Sequence, residues 1–282
     1  MELCILASGS AGNCTVVRAA GGAMLLDAGI GPRAAARRLE GTGVGIGDIS
    51  AICLTHLDTD HFNPGWIRTI VRQGIGVFCH ALRRDDLTAL APAEPAMSRL
   101  VRTFERSVFE PLPGLRVRPL PLAHDVHGSH GFVLESGGVR AGYATDLGAV
   151  PPQLVDHFAG VDILAIESNY DVQMQMASSR PWFLKQRIMG GRGHLSNEQA
   201  LEAVRAILDR ARRAGLNAPQ HIVLLHRSRQ CNCPRLLQRL FGADPRVASR
   251  LVLAEQYQRT QWLSGRPCRR PPAGERLALL PH

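Results

Sequence analysis

Lysine is nearly missing from this sequence. Lys185 is the one lysine among 33 basic residues, so the net charge of +9 rests on arginine. A basic surplus attracts polyanions, and nucleic acid is the natural partner. A proteome that favours arginine would give the same count, so charge alone moves the reading only modestly. Long apolar runs are missing too. No stretch reaches the roughly 18 consecutive apolar residues of a membrane-crossing helix, and no membrane partner is expected. The opening MELCILASGSAGN has no basic n-region and reads as a first strand rather than a signal peptide. The expected location is therefore cytoplasmic.

A disulfide framework is also missing. Of seven cysteines, Cys4, Cys14, Cys53 and Cys79 sit in apolar, strand-like contexts, and all seven are expected to be structural. Cys231-x-Cys233 has one intervening residue where a zinc or redox pair usually has two, and its role stays open. There is no internal repeat and no low-complexity segment. Only the tail from Gly265, GRPCRRPPAGER, has the Pro, Gly and Arg richness of a loose terminus.

What is present suffices for a large core: 282 residues, 45% of them hydrophobic. Strand-like segments fall at 2–7, 14–19, 23–28, 51–55, 75–79, 115–122, 131–136, 139–145, 162–167, 221–226 and 250–254. Gly21-Gly22 and Gly137-Gly138 read as hairpin turns. Helices are expected over 32–40, which opens on Pro32, and over 196–214. In the second, Ser196 and Gln199 make a capping box before an apolar stripe, and Gly215 ends it. Strands and helices in this order predict a layered α/β (α+β) fold. The expected division is one domain over 1–264 and a tail over 265–282.

Chemistry concentrates at strand ends. The stretch ICLTHLDTDHF, 52–62, turns from an apolar run into His56, Asp58, Asp60 and His61. His124 follows the strand at 115–122, Asp146 the strand at 139–145, and His226 ends the strand at 221–226. Taken singly, His124 or His226 would be an ordinary hydrogen-bonded histidine, and Asp146 a turn cap. A solvated loop has no need for His-x-Asp-x-Asp-His after a buried strand, so that cluster points to metal.

These motifs resemble the metallo-β-lactamase-fold hydrolases, whose signature is usually His-x-His-x-Asp-His. SGSAGN (8–13), LLDAG (25–29), ATDLG (144–148), ESNYD (167–171), GHLSN (193–197) and LLHRSRQCN (224–232) are similar to the YycJ/WalJ-like subgroup. That subgroup's members are regarded as DNA-acting 5′→3′ exonucleases. The resemblance implies a four-layer αββα sandwich with a site for two divalent metal ions at one edge. His56, Asp58 and His124 would hold one ion, Asp60, His61 and His226 the other, and Asp146 would bridge them. Asp60 would also orient a two-metal-activated hydroxide. Asp58 stands where the family has histidine. A harder oxygen ligand shifts preference from zinc toward manganese or iron, with zinc still expected first on family precedent.

For substrate contacts, His194 and Asn197 are expected near a helix that Ser196 caps, with the helix N-terminus offered to a phosphate. His194 would donate a proton or bind the phosphate. Asn13, in the Ser10–Asn13 loop, is a further substrate candidate, with a plain turn as its equal rival. Asp27 would accept hydrogen bonds that fix the metal loop. His127 and His130 follow His124 closely and read as ordered turn histidines before spare ligands. Arg180, Lys185, Arg187 and Arg192 form either a phosphate-tracking groove or a solvated face. The leading expectation is a DNA phosphodiesterase. Its rivals are a same-fold hydrolase of a small ester, thioester, lactone or cyclic phosphate, and a non-catalytic nucleic-acid-binding or regulatory protein that keeps its metal site.

Overall fold

The computed structural model describes residues 1–265. The strands are β1 (Glu2–Ala7), β2 (Cys14–Ala19), β3 (Gly22–Leu26), β4 (Ile49–Cys53), β5 (Gly76–His80), β6 (Val101–Phe104), β7 (Phe109–Leu112), β8 (Leu115–Leu122), β9 (Ser129–Ser136), β10 (Val139–Ala144), β11 (Ile163–Glu167), β12 (His221–Leu225), β13 (Leu251–Leu253) and β14 (Leu263–Ser264). They build two seven-stranded sheets, ordered β14-β1-β2-β3-β4-β5-β6 and β13-β12-β11-β10-β9-β8-β7. The α-helices are α1 (Pro32–Leu39), α2 (Ile67–Gln73), α3 (Arg84–Ala89), α4 (Met97–Leu100), α5 (Pro152–Phe158), α6 (Val172–Ala177), α7 (Trp182–Met189), α8 (Asn197–Arg213), α9 (Pro234–Gly242) and α10 (Pro245–Ala248).

Alternation along each strand divides the apolar residues between layers. In β1, Leu3 and Ile5 face the other sheet, while Cys4 and Leu6 face the outer helices. The central core joins Leu3, Ile5, Met24 and Leu26 of one sheet to Phe132, Leu134, Tyr143 and Ile163 of the other. Outside the first sheet lie Ala35 and Leu39 of α1 and Ile70 of α2. Outside the second lie Leu154 and Phe158 of α5, Val204 and Ile207 of α8, and Phe241 of α9. The result is the expected αββα sandwich. Because both sheets are covered on both faces, the strands read as continuous apolar runs.

Each sheet is antiparallel on one side and parallel on the other. β3 to β6 run parallel, and so do β10 to β13. Parallel strands deliver their C-terminal ends to one edge, which is where open α/β sheets place ligands. That edge receives Asp27, Thr55, His56, Asp146, Glu167 and His226.

Every strand expected from sequence forms, and the two Gly-Gly turns join the antiparallel pairs β2/β3 and β9/β10. The capping box of Ser196 and Gln199 opens α8 as read. Short β6, β7 and β14 escaped the pattern, as did every helix but α1 and α8, because few of these carry a long enough apolar stripe. The tail expected over 265–282 lies outside the described residues, apart from Gly265. The six described cysteines are free, Cys233 partly exposed and the others buried. Among the described residues no helix is long and apolar enough to cross a membrane.

Candidate metal centre

The loop after β4 is stapled to its neighbours through backbone. Asn13 N–H donates to the Asp60 carbonyl at 2.7 Å, Ala28 N–H to that of His61 at 2.8 Å, and Asn63 N–H to that of Ala28 at 2.9 Å. Gly29 permits this: a Cβ there would lie 1.8 Å from the Asp60 carbonyl oxygen. Asp27, Asp146 and His226 hold left-handed backbone, with φ of 56°, 51° and 51°. Each costs about 1–2 kcal/mol for a residue with a Cβ, and strain of this kind collects at functional sites.

The side chains form four overlapping donor groups, one of them Asp146, Glu167, His194 and His226, and two of them the sets expected from sequence. His56, Asp58 and His124 offer atoms within 4.8 Å of one another, and so do Asp60, His61 and His226. Asp146 belongs with both sides. Its Oδ2 is 2.9 Å from His61 Nε2, its Oδ1 is 3.3 Å from His226 Nδ1, and it clusters with His56 and His61.

The outer nitrogen of each ring is committed. His61 Nδ1 lies 2.8 Å from Asp27 Oδ2, and His124 Nδ1 lies 3.0 Å from the Gly193 carbonyl. His226 Nδ1 lies 3.0 Å from Glu167 Oε1. These oxygens only accept, so each Nδ1 carries the proton. His56 Nδ1 meets the Thr55 hydroxyl at 2.9 Å, and that hydroxyl donates to Asp27 at 3.0 Å. The Thr55 oxygen therefore accepts from His56. The four Nε2 atoms are the ones left for the shared centre, with that of His61 also 3.0 Å from the Asn13 amide nitrogen. His56 Nε2 is 3.8 Å from Asp58 Oδ2, and His226 Nε2 is 3.4 Å from Asp60 Oδ2. A ring oriented by an outer oxygen, with its other nitrogen free, is how metal-binding histidines are prepared.

Electrostatics agree with that donor set. Burial opposes charge on His61, but Asp146 and Asp27 outweigh it and raise its pKa well above 6.5. Burial likewise opposes charge on His226, yet Asp146, Asp60 and Glu167 raise it to about 10. Burial should raise Asp146, and the surrounding His226 and His61 instead hold it well below 3.8. The pocket draws positive charge onto itself. A carboxylate–imidazole set of this kind fits divalent cations, whose binding would release the protons.

His194 reaches the same cleft, of about 250 Å³, beside Asp58, Asp60, Asp146 and His226. Its Nδ1 meets Glu167 Oε1 at 2.8 Å. Burial lowers its affinity for a proton, but Glu167 more than offsets this. Asp27 is fully buried and accepts from Thr55 and His61, the hydrogen-bonding position anticipated for it.

Three anticipated substrate contacts are not brought to the cleft. Asn197 is 1% exposed, and its amide bonds to Ser168 and Asn232. The Ser196 hydroxyl accepts from Gln199 N–H. Asn13 is 1% exposed, its oxygen accepting from Gly9 N–H and its nitrogen facing His61 Nε2 at 3.0 Å. Around the helix N-terminus, the N–H groups of Leu195, Ser196, Asn197 and Gln199 all donate within the protein. These groups hold the site's walls and are not offered to a phosphate. His130 lies in β9 rather than a turn, with its ring stacked on His80.

Sequence reasoning missed Glu167, Thr55 and Asn169, whose side-chain amide donates to the His226 carbonyl at 2.7 Å. Glu167 is the last residue of the apolar strand ILAIE, fully buried, and it bonds to both His194 and His226. A carboxylate closing a buried parallel strand was the available signal.

The αββα sandwich with a histidine–aspartate edge is the metallo-β-lactamase architecture, and the chain belongs to the beta-lactamase superfamily. Residues 23–222 match the family described as Beta-lactamase superfamily domain. Exodeoxyribonuclease YycJ of Bacillus anthracis is 26% identical over 246 residues, covering 84% of this chain and 86% of that protein. Exodeoxyribonuclease WalJ of Streptococcus pneumoniae is 27% identical over 241 residues, covering 82% and 83%. Among solved structures, Zn(2+)-bound PqqB from Methylobacterium extorquens is similar with a TM-score of 0.65 at 17% identity, over 92% of this chain and 99% of that one. At that identity the likeness speaks for fold alone.

Proposed function

We propose that residues 1–264 form one cytoplasmic, metal-dependent phosphodiesterase domain that removes nucleotides from DNA, as a 5′→3′ exonuclease would. One observation carries the reading: Asp146 reaches both expected donor sets, as a carboxylate between two cations must. His56, Asp58 and His124 would hold one divalent ion, and Asp60, His61 and His226 the other, with zinc first and manganese or iron as alternatives. When bound, the two ions supply Lewis-acid activation of water and neutralise charge on the phosphodiester.

The chain's own groups divide the remaining work. Asp60 has a side chain 24% exposed to the cleft and is held below the usual carboxylate range; burial opposes this, but His226 and His61 prevail. It accepts a hydrogen bond from the attacking water and aims it at phosphorus. Water oxygen bonds to phosphorus as the bond to the leaving sugar oxygen breaks, and the surplus proton of that water passes to Asp60 and on to solvent. His194, anchored through Nδ1 on Glu167, turns Nε2 to the cleft and gives that oxygen its proton. Asp27 and Thr55 keep His56 and His61 in register.

The exodeoxyribonuclease names of the two curated relatives support DNA over other phosphodiesters. The test is to load the protein with zinc or manganese separately and offer end-labelled DNA, RNA and a panel of small esters. Stepwise loss of nucleotides from DNA is expected. Ester turnover with no phosphodiester cleavage under either metal would overturn the reading.

A further inference from the structure

Helix α7 buries none of its own residues. In a chain with 5% aromatics it opens on two adjacent exposed rings, Trp182 at 59% and Phe183 at 72% exposure. Met176 of α6 is 45% exposed too, and Lys185 Nζ donates to its carbonyl at 2.6 Å, which ties α6 to α7. Adjoining apolar groups in water mark a surface that something covers.

The same helix walls the metal cleft. Leu184, Arg187 and Ile188 line the cavity that holds Asp58, Asp60, Asp146 and His194. Phe183 and Arg187 are four residues apart and share a helix face. The ring therefore stands one turn ahead of a cleft residue. The far end of α7 is fixed to the catalytic loop: His194 N–H donates to the Ile188 carbonyl at 2.8 Å. A Cβ on Gly193 would lie 2.2 Å from that oxygen, so the approach needs glycine. The rings are mounted on His194's own support.

The segment that carries the rings has charge of one sign. Residues 172–193 contain Arg180, Lys185, Arg187 and Arg192 and no acidic residue. Arg180 donates to the amide oxygens of Gln175 and Gln230, at 3.0 Å each, and has no carboxylate partner among the described residues. Lys185 donates to a carbonyl and likewise has no carboxylate partner among these residues. Arg187 pairs with Asp125.

Exposed rings among cations without carboxylate partners bind single strands: bases stack on the rings while phosphates follow the cations. We propose that Trp182 and Phe183 are a stacking platform for unpaired bases of a DNA strand, with Arg180 and Lys185 drawing its phosphates toward the cleft. This rests on the phosphodiesterase reading and adds the form and path of the strand. A second copy of the chain fits less well, since a two-fold contact would set these cations against their equals.

The test uses tryptophan emission, read on the metal-loaded protein with a phosphorothioate oligo(dT) that resists cleavage. Trp66 is fully buried and Trp262 lies under Arg18, which leaves Trp182 as the accessible reporter. Oligo(dT) should quench emission. Trp182→Phe should abolish most of the quench while keeping affinity within about twofold, because a ring remains to stack. Trp182→Ala with Phe183→Ala should weaken oligo(dT) binding about tenfold or more and leave turnover of bis(p-nitrophenyl) phosphate unchanged. Binding without quench, or full affinity in the double alanine variant, overturns the platform. So does a wild-type dimer that the double variant breaks. The titration needs no turnover, so a protein that binds oligo(dT) in this way but cleaves no phosphodiester would sink the enzymatic reading and leave the platform standing.

Discussion

Two groups of histidines in this protein sit in opposite electrostatic surroundings. At the strand-end edge, His61, His194 and His226 touch the carboxylates of Asp27, Asp146 and Glu167, and their pKa values rise despite burial. Beside the cleft, His80 and His130 stack with ring centroids 4.6 Å apart, on a cavity of about 440 Å³. There burial, joined by the neighbouring His80, lowers His130 to about 4. His56 makes the same point inside the first group. Its outer nitrogen meets the Thr55 hydroxyl rather than a carboxylate, and burial with His61 takes its pKa well below 6.5. Imidazole density does not make a cation site. The carboxylates at the parallel strand ends do.

The largest break of that contrast should come from Asp146→Ala. It removes the carboxylate that reaches both expected donor sets, and we expect hydrolysis to fall to background with loss of bound metal. Metal analysis and turnover measured together check this; a variant that keeps its metal and its rate would unseat the bridging assignment. His194→Ala should be next, lowering turnover by about 10²–10⁴-fold, the usual range for a lost proton donor, with metal content unchanged. Metal lost along with activity would make His194 a ligand. Glu167→Gln should cost about 10–100-fold in metal affinity or activity, as loss of an outer partner of a ligating histidine typically does. Equilibrium dialysis against a chelator would read it.

The same contrast explains what was legible in the sequence. The first sheet supplies His56, Asp58, Asp60 and His61 from one short loop, dense enough to be read as a metal motif unaided. The second sheet supplies His124, Asp146, Glu167 and His226 from the ends of separate strands. Three of these drew notice as polar residues ending apolar runs. Glu167 did not, because a lone acid at a strand end is common, and its meaning lies in contacts to residues 27 and 59 positions away. Asn197 misled for the converse reason. Its motif neighbours His194, but His194 lies in the segment before α8 and lines the cleft, while Asn197 opens the helix and bonds to Ser168 and Asn232 in the core. At the start of α8, sequence shows which N–H groups lack a helical partner, not which tertiary acceptors take them, as Glu167 and Tyr170 take those of Leu195 and Asn197.

A smaller effect should follow from Asp58→His. The Asp58 side chain is 53% exposed, the most open of the proposed ligands. Replacing its oxygen with a softer nitrogen should move selectivity toward zinc over manganese, read by metal competition. Unchanged selectivity and occupancy would remove Asp58 from the ligand set.

The smallest effect tests the other side of the comparison. His130 faces His80 and Phe104, and its backbone N–H donates to the Thr55 carbonyl. Arg83, Asp86, Glu105 and Arg106 line the same cavity, but none pairs with the ring. An unfolded chain protonates this imidazole below its ordinary 6.5, and the folded chain only below about 4. Across that window the unfolded state binds the extra proton. The stabilisation is therefore present above about 6.5 and lost as pH falls through about 4. In urea titrations, wild type should lose stability over this range more steeply than His130→Asn. The difference between the two slopes isolates this ring from the carboxylates that titrate nearby in pH. Equal slopes would mean that burial does not hold His130 neutral. The contrast between carboxylate-rich and carboxylate-free histidines would then lose its second half.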